Sequence, residues 1–303
     1  MTELERVAPD ARIINLETSI TTSDDHWRGK EIHYRMHPAN LSCLTAARID
    51  CCVLANNHVL DWGRSGLEET LDTLARAGIA TAGAGRTAGE AGAPAVLDIV
   101  GKGRVLVFAL GMSSSGIPRE WSAGEQRSGV NWADLSSATL ERMADRVHAV
   151  RKPGDIVIVS IHWGPNWGYA VPGDHRQFAH RLIEEGAADV IYGHSSHHPM
   201  GIEVYRGRPV LYGCGDLLND YEGILGYEEY RDDLVLAYFP TIDARDGTLA
   251  GLEMIPFRIQ RFRLNRATTE ETNWLRDRLT RESAALGTRL ESGTGGALVL
   301  RWT

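Results

Sequence analysis

The chain has 303 residues, of which 43% are hydrophobic and 24% charged, and its formal net charge is −8. That length suffices for one large domain or two modest ones with a full core, and the composition excludes a disordered chain. An acidic balance without any Lys/Arg-rich block argues against nucleic acid as a partner. No apolar stretch reaches the roughly 20 residues of a membrane helix, and the opening Met-Thr-Glu-Leu-Glu-Arg is not a signal peptide, so a cytoplasmic protein without a membrane segment is expected. Cys43, Cys51, Cys52 and Cys214 show no CxxC pair or disulfide spacing, and they read as small buried hydrophobes in a reducing compartment.

A first strand is expected over Arg12–Glu17, followed by a polar loop through Trp27 and His33-Tyr34-Arg35-Met36-His37 and an amphipathic helix from about Pro38 to Ala47. The apolar run Cys52-Val53-Leu54-Ala55 is a strand that ends at Asn56-Asn57-His58. Leu67, Leu71 and Leu74 then fall at helical spacing within Ser65–Ala77, and Gly78 stops that helix. With a strand at Thr81–Gly85 this makes a βαβ unit. A strand follows at 105–110, a helix at Asp134–Arg151, and a strand from Asp155 that delivers Ile161-His162-Trp163-Gly164. The helix Arg176–Glu185 leads to the strand Ala188–Tyr192 before Gly193-His194, and residues 201–212 read as a hairpin leading to Cys214-Gly215-Asp216. Strands at Leu234–Tyr238 and Gly251–Gln260 precede a helix opened by the capping box Thr268-x-x-Glu271. No repeat or linker interrupts this order, so a single domain over residues 1–303 is expected. Gly83-Ala84-Gly85 lacks the third glycine and the later acidic residue of a dinucleotide fingerprint.

Three of these strands end in Asn57-His58, His162 and His194, with His197 close behind. Packing alone seldom places His or Asn at three strand ends. Imidazole nitrogens with an amide or carboxylate oxygen suit a borderline or hard divalent ion. Zinc, iron or manganese fit the imidazoles, and calcium or magnesium fit a water-rich site built on Glu17 and Asn57. His26, His148, His175 and His180 sit in polar or helical contexts and read as structural. Trp163 and Trp167 lie beside the motif turns and can hold a peptide or small-molecule substrate, Arg35 can receive its carboxylate, and Trp27 reads as packing.

The ordered set Asn15-Leu16-Glu17-Thr18, Asn56-Asn57-His58 through Asp61-Trp62-Gly63, His162-Trp163-Gly164, Gly193-His194 with His197, and Glu203 through Gly213 to Asp216 resembles the CapA (poly-γ-glutamate capsule) family of calcineurin-like metallophosphoesterases, over roughly residues 12–240. The resemblance implies an α/β (α+β) fold, a four-layer sandwich of two mixed β-sheets flanked by helices. It implies metal ligands at Glu17, Asn57, His162, His194 and His197, and a general acid at His58 oriented by Asp61. The first metal's Asp, which family members carry on an earlier strand, has no counterpart before Glu17. This departure leads to the expectation of a single ion and of acid/base chemistry by two couples, His58 with Asp61 and a second drawn from His162 or His197 with Asp216. In that short form the chain is similar to the epimerases of lasso-peptide biosynthesis, which invert the C-terminal tryptophan of a precursor peptide. A metal-dependent phosphoesterase or other hydrolase, and a non-catalytic capsule protein, are the alternatives.

Overall fold

This computed structural model describes residues 2–221 and 223–303, whose contacts gather into two compact units, one through Trp163 and one from Gly164 to Thr303.

The first unit opens with the helix α1 (Thr2–Val7) and the strand β1 (Ile13–Asn15), then carries the short pair β2 (Ser19–Ile20) and β3 (Arg35–Met36). A 3-10 turn over Pro38–Leu41 runs into α2 (Ser42–Ala46), so the expected helix forms in two pieces. β4 (Cys51–Val53), α3 (Gly63–Arg76) and β5 (Ala80–Ala82) complete a βαβ unit, with β4 parallel to both β1 and β5. In α3, Leu67, Leu71 and Leu74 are buried on the face turned to the core cluster of this unit. Each contributes about 1.5–3 kcal/mol by burial, and truncating one to Ala would cost about 2–5 kcal/mol. The helix stops where sequence places the stop. Gly78 is left-handed (φ 72°), its N–H donates to Ala75 O and that of Ile79 to Leu74 O, the paired bonds of a Schellman ending.

The strand expected at residues 81–85 is split into β5 and β6 (Ala84–Gly85) by Gly83, whose φ is 87°. A Cβ there would lie 2.6 Å from Ala109 Cβ and 2.7 Å from Ala55 Cβ, so only glycine lets these backbones approach. The helix α4 (Ala88–Gly92) and the strand β7 (Ala95–Ile99) follow, with β7 antiparallel to the long strand β8 (Gly103–Met112). β9 (Gly129–Val130) pairs with β6, and β10 (Trp132–Ala133) lies parallel to the end of β8. The helix α5 (Ser137–Val150) is capped by the Ser136 hydroxyl, which accepts from Thr139 N–H. It crosses to β11 (Ile156–His162), parallel to β8 with His162 opposite Gly111. β11 is almost wholly buried, the pattern of a parallel strand covered on both faces.

In the second unit α6 (Gly173–Glu184) precedes β12 (Val190–His194), which pairs in parallel with β14 (Arg208–Leu211). β13 (Ile202–Tyr205) and β14 make the expected hairpin through a two-residue turn, Arg206 (φ 50°) and Gly207 (φ 76°). β15 (Leu234–Ile242), β16 (Leu249–Ile259) and β17 (Leu264–Arg266) continue as an antiparallel meander. The helix α7 (Thr269–Ser283) has both bonds of its capping box, Thr268 with Glu271. β18 (Thr288–Ser292) and β19 (Leu298–Trp302) close the sheet as a hairpin the sequence reading missed. Leu275 and Leu279 of α7 pack into one cluster with Leu234, Leu252, Leu290 and Leu298 of the strands. Mixed sheets with helices packed against them make this an α/β protein. Among the described residues no helix is long and apolar enough to cross a membrane. Cys51 and Cys52 are buried as expected and Cys214 partly so, but Cys43 is exposed, because it sits on the outer face of the short α2.

Candidate metal centre and acid–base couples

In the first unit, Glu17, Asn57 and His162 all lie at or just beyond the carboxyl ends of strands, β1, β4 and β11. His162 is fully buried, with Nε2 3.0 Å from the Asn57 amide oxygen and 3.9 Å from a Glu17 carboxylate oxygen. Glu17 is steered by Asn15, whose amide donates to its other oxygen at 2.7 Å. The fully buried Asn56 ties the two strand ends together. Its amide nitrogen donates to Asn15 Oδ1 (3.0 Å) and to Leu16 O (2.9 Å), and its amide oxygen accepts from His58 N–H (3.1 Å). With Asn56 committed to the backbone, its neighbours Asn57 and His58 are the residues left to do chemistry. Ser115 Oγ lies 2.9 Å from the carbonyl of His162 and 2.7 Å from that of Met112, which holds the end of β11 in place.

His58 is 8% exposed and Asp61 not at all. The imidazole Nδ1 lies 2.7 Å from Asp61 Oδ2, so a ring donating there presents Nε2 for proton transfer. Tyr34 completes the setting, with its ring 4.2 Å from the His58 ring and its N–H donating to Asp61 Oδ2 at 2.7 Å. Sequence reading missed one participant, Lys30, whose ammonium contacts Asp61 Oδ1 and Asn57 O and lies 3.0 Å from His58 Nδ1. Burial pulls its pKa below the usual lysine value, and the Asp61 charge works against that pull. A lone lysine in a polar loop carries no pattern that would have revealed it.

In the second unit, β12 ends at His194, which burial pushes down to a pKa of about 3. The ring is therefore neutral, as a metal ligand must be. Ser195, next in the chain, sits at φ 123°, a strained value for a side-chain-bearing residue, and its hydroxyl donates to Gly164 O at 2.9 Å. His197 Nδ1 lies 3.2 Å from both oxygens of Asp216. Tyr221 OH and Asn219 Nδ2 also donate to Asp216, each at 2.9 Å. This joins His197 to Asp216 as the second couple foreseen from the sequence. Trp167 lies flat on Tyr227, ring centres 4.2 Å apart at 5°, and its ring centre is 5.3 Å from that of His197.

The other two substrate-binding candidates are placed differently. Trp163 is only 3% exposed. Arg35 pairs with Asp24 at 2.9 Å and lies 4.1 Å over the Trp62 ring, so its guanidinium is already engaged. Trp27 packs edge-on against Trp121, as expected.

A carboxylate oxygen, an amide oxygen and imidazole nitrogens are the donors a divalent cation takes, so the residues present fit such an ion. A family model described as bacterial capsule synthesis protein PGA_cap matches residues 2–221. The chain is 47% identical over 291 residues to a probable polyglutamine synthesis accessory protein of Mycobacterium tuberculosis (strain H37Rv), which covers 95% of this chain and 76% of that one. It is 28% identical over 226 residues to the PGA biosynthesis protein CapA of Bacillus subtilis (strain 168), covering 74% of this chain and 56% of the relative. Both names speak of polymer synthesis and neither of peptide epimerisation. Since the relatives extend beyond the matched stretch, the position of Glu17 near residue 1 carries no information on how many ions are held, and the argument for an epimerase loses that support.

Proposed function

The chain belongs to the bacterial capsule synthesis protein PGA_cap family, and from that membership we propose that it is a metal-dependent hydrolase serving the synthesis of a glutamine or glutamate polymer. The observation that carries this reading is the convergence of Asn57, Glu17 and His162 beside the His58–Asp61 couple. In it, Glu17 and His162 are the core of the ligand set, with Asn57 completing it, and His194 and His197 are candidate ligands carried by the second unit.

A divalent ion so held would supply positive charge to an oxyanion developing on the scissile group. His58 moves the proton at Nε2 while Asp61 holds Nδ1 and fixes the ring. Asn56, locked to β1, keeps the turn that presents Asn57 and His58 rigid.

The test is Mn2+ binding followed by electron paramagnetic resonance, together with turnover of a phosphodiester ester and of oligo-glutamine and oligo-glutamate peptides. Glu17→Ala, His162→Ala and His194→Ala should each weaken Mn2+ binding, while His58→Ala should keep the metal and lose turnover. Unchanged Mn2+ binding by His194→Ala would remove His194 from the ligands. His–Asp couples of this kind also suit proton exchange at a peptide α-carbon. Metal-dependent deuterium uptake at one α-carbon, without hydrolysis, would favour that second reading.

A further inference from the structure

Lys30 lies between β2 and β3 in a stretch without regular structure, yet that stretch is tied down along its length. Trp27 N–H donates to Asp61 O (2.8 Å), His33 Nε2 lies 2.9 Å from Trp27 O, and Trp62 Nε1–H donates to Tyr34 O (3.0 Å). Gly29, at φ 82°, reverses the chain immediately before the lysine. Of the charged side chains between β2 and β3, Asp24, Asp25, Arg28 and Glu31 are exposed, whereas that of Lys30 is 21% exposed and turned onto the Asn57–Asp61 turn.

There its ammonium makes contacts that differ in what they hold. The bond to Asn57 O fixes the backbone of the residue whose amide oxygen reaches His162. The bond to Asp61 Oδ1 supplies a full positive charge to a carboxylate with no exposure, which otherwise has the Tyr34 N–H and His58 Nδ1 on its other oxygen. One cation thus couples the residue whose amide oxygen reaches His162 to the carboxylate beside His58 Nδ1. A side chain sets the positions of its partners only if it is itself held, and the ties on its loop hold it.

We infer that Lys30 is a positioning residue of the metal centre, holding Asn57 in the orientation in which its amide oxygen ligates. The inference rests on the reading of Asn57 as a ligand. Loss of an outer-shell partner of a metal ligand commonly costs about 10–100-fold in affinity. Lys30→Met should therefore bind Mn2+ about tenfold or more weakly than wild type, with its near-ultraviolet circular dichroism retained. Lys30→Gln is the second variant should the Met form fail to fold. Rescue separates the ammonium from the mere bulk of the side chain. In a Cys43→Ser background, which removes the exposed thiol, Lys30→Cys alkylated with 2-bromoethylamine restores a lysine-length ammonium and should return Mn2+ affinity towards that of the alkylated parent. Wild-type affinity in Lys30→Met or Lys30→Gln overturns the inference, and so does an alkylated Lys30→Cys that stays as weak as the Met form. Absence of Mn2+ binding by the wild-type chain would instead sink the metal reading, and this inference with it.

Discussion

Glu203 offers the sharpest test of the energetics, because it is a buried carboxylate whose every partner can be named. It is 3% exposed on β13, and its Oε1 accepts from Arg176 Nε (3.0 Å) and Nη2 (2.6 Å). Its Oε2 accepts from Tyr212 OH (2.6 Å) and lies 3.0 Å from His180 Nε2. Arg176 and His180 stand on α6 and Tyr212 just after β14, so this one group staples the helix to the hairpin that leads to Asp216. In Glu203→Gln the amide nitrogen either faces the donor-only Arg176 guanidinium or turns to Tyr212 and His180, where the hydroxyl and imidazole must reverse to accept, and either way the charge opposite Arg176 is lost. Hydrogen bonds to a charged group contribute about 1.5–3 kcal/mol each, and removing one partner of a buried pair costs about 3–5 kcal/mol. The Arg176 side chain is 42% exposed, so its share is discounted for solvent screening and the lower part of that range applies. About 3 kcal/mol corresponds to a fall in Tm of roughly 6–12 °C for a unit of this size. Thermal melts of Glu203→Gln, Arg176→Met and the double variant measure it. The double should cost less than the sum of the singles by about 1–3 kcal/mol, since residues in one network couple. A Glu203→Gln melting within about 2 °C of wild type, or strict additivity, would refute the reasoning.

His194 and His198 are buried with pKa values pushed down to about 3 and about 4, in both cases chiefly by burial, against an ordinary 6.5. The unfolded chain therefore binds protons that the folded chain refuses between those values. Their contribution is undiminished above pH 6.5 and falls below it, by at most about 1.4 kcal/mol per pH unit for each ring. Urea melts of the metal-free chain from pH 7.5 to 4.5 should show this slope, and His198→Leu should reduce it by one proton; an unchanged slope would deny His198 that role. Gly83→Ala should destabilise by about 2–5 kcal/mol, from left-handed strain and the overpacking of Ala55 and Ala109, and a melting temperature equal to wild type would contradict the close approach. Asp61→Asn should lower turnover less than His58→Ala, because it keeps the imidazole while loosening its orientation, and equal turnover to wild type would take Asp61 out of the mechanism.

What sequence could disclose follows from where the information is written. Periodicity records which face of an element is covered, and so Leu67, Leu71 and Leu74, the buried run of β11 and the Thr268–Glu271 box were all legible at their places. A strand that ends in an imidazole or amide is a local pattern too, which is why Asn57, His162 and His194 could be read as one set. The His197–Asp216 couple was readable only because family resemblance put the two residues in one motif series. Lys30 had no such help, since its place is decided by Gly29 and by the bonds from Trp27 and Tyr34 to a turn about 30 positions later. The split at Gly83 escaped for the same reason, because it answers to Ala55 and Ala109, both remote in sequence. Trp163 stands beside the motif histidine as the sequence suggests, and its 3% exposure is a property that local pattern does not record. The β18–β19 hairpin went unseen because glycines at 293, 295 and 296 interrupt the apolar alternation, although Leu290, Leu298 and Leu300 fill the core of the second unit. Short-range pattern therefore located the candidate ligands and acid–base groups, whereas the contacts that hold them, those of Lys30 among them, are made only on folding.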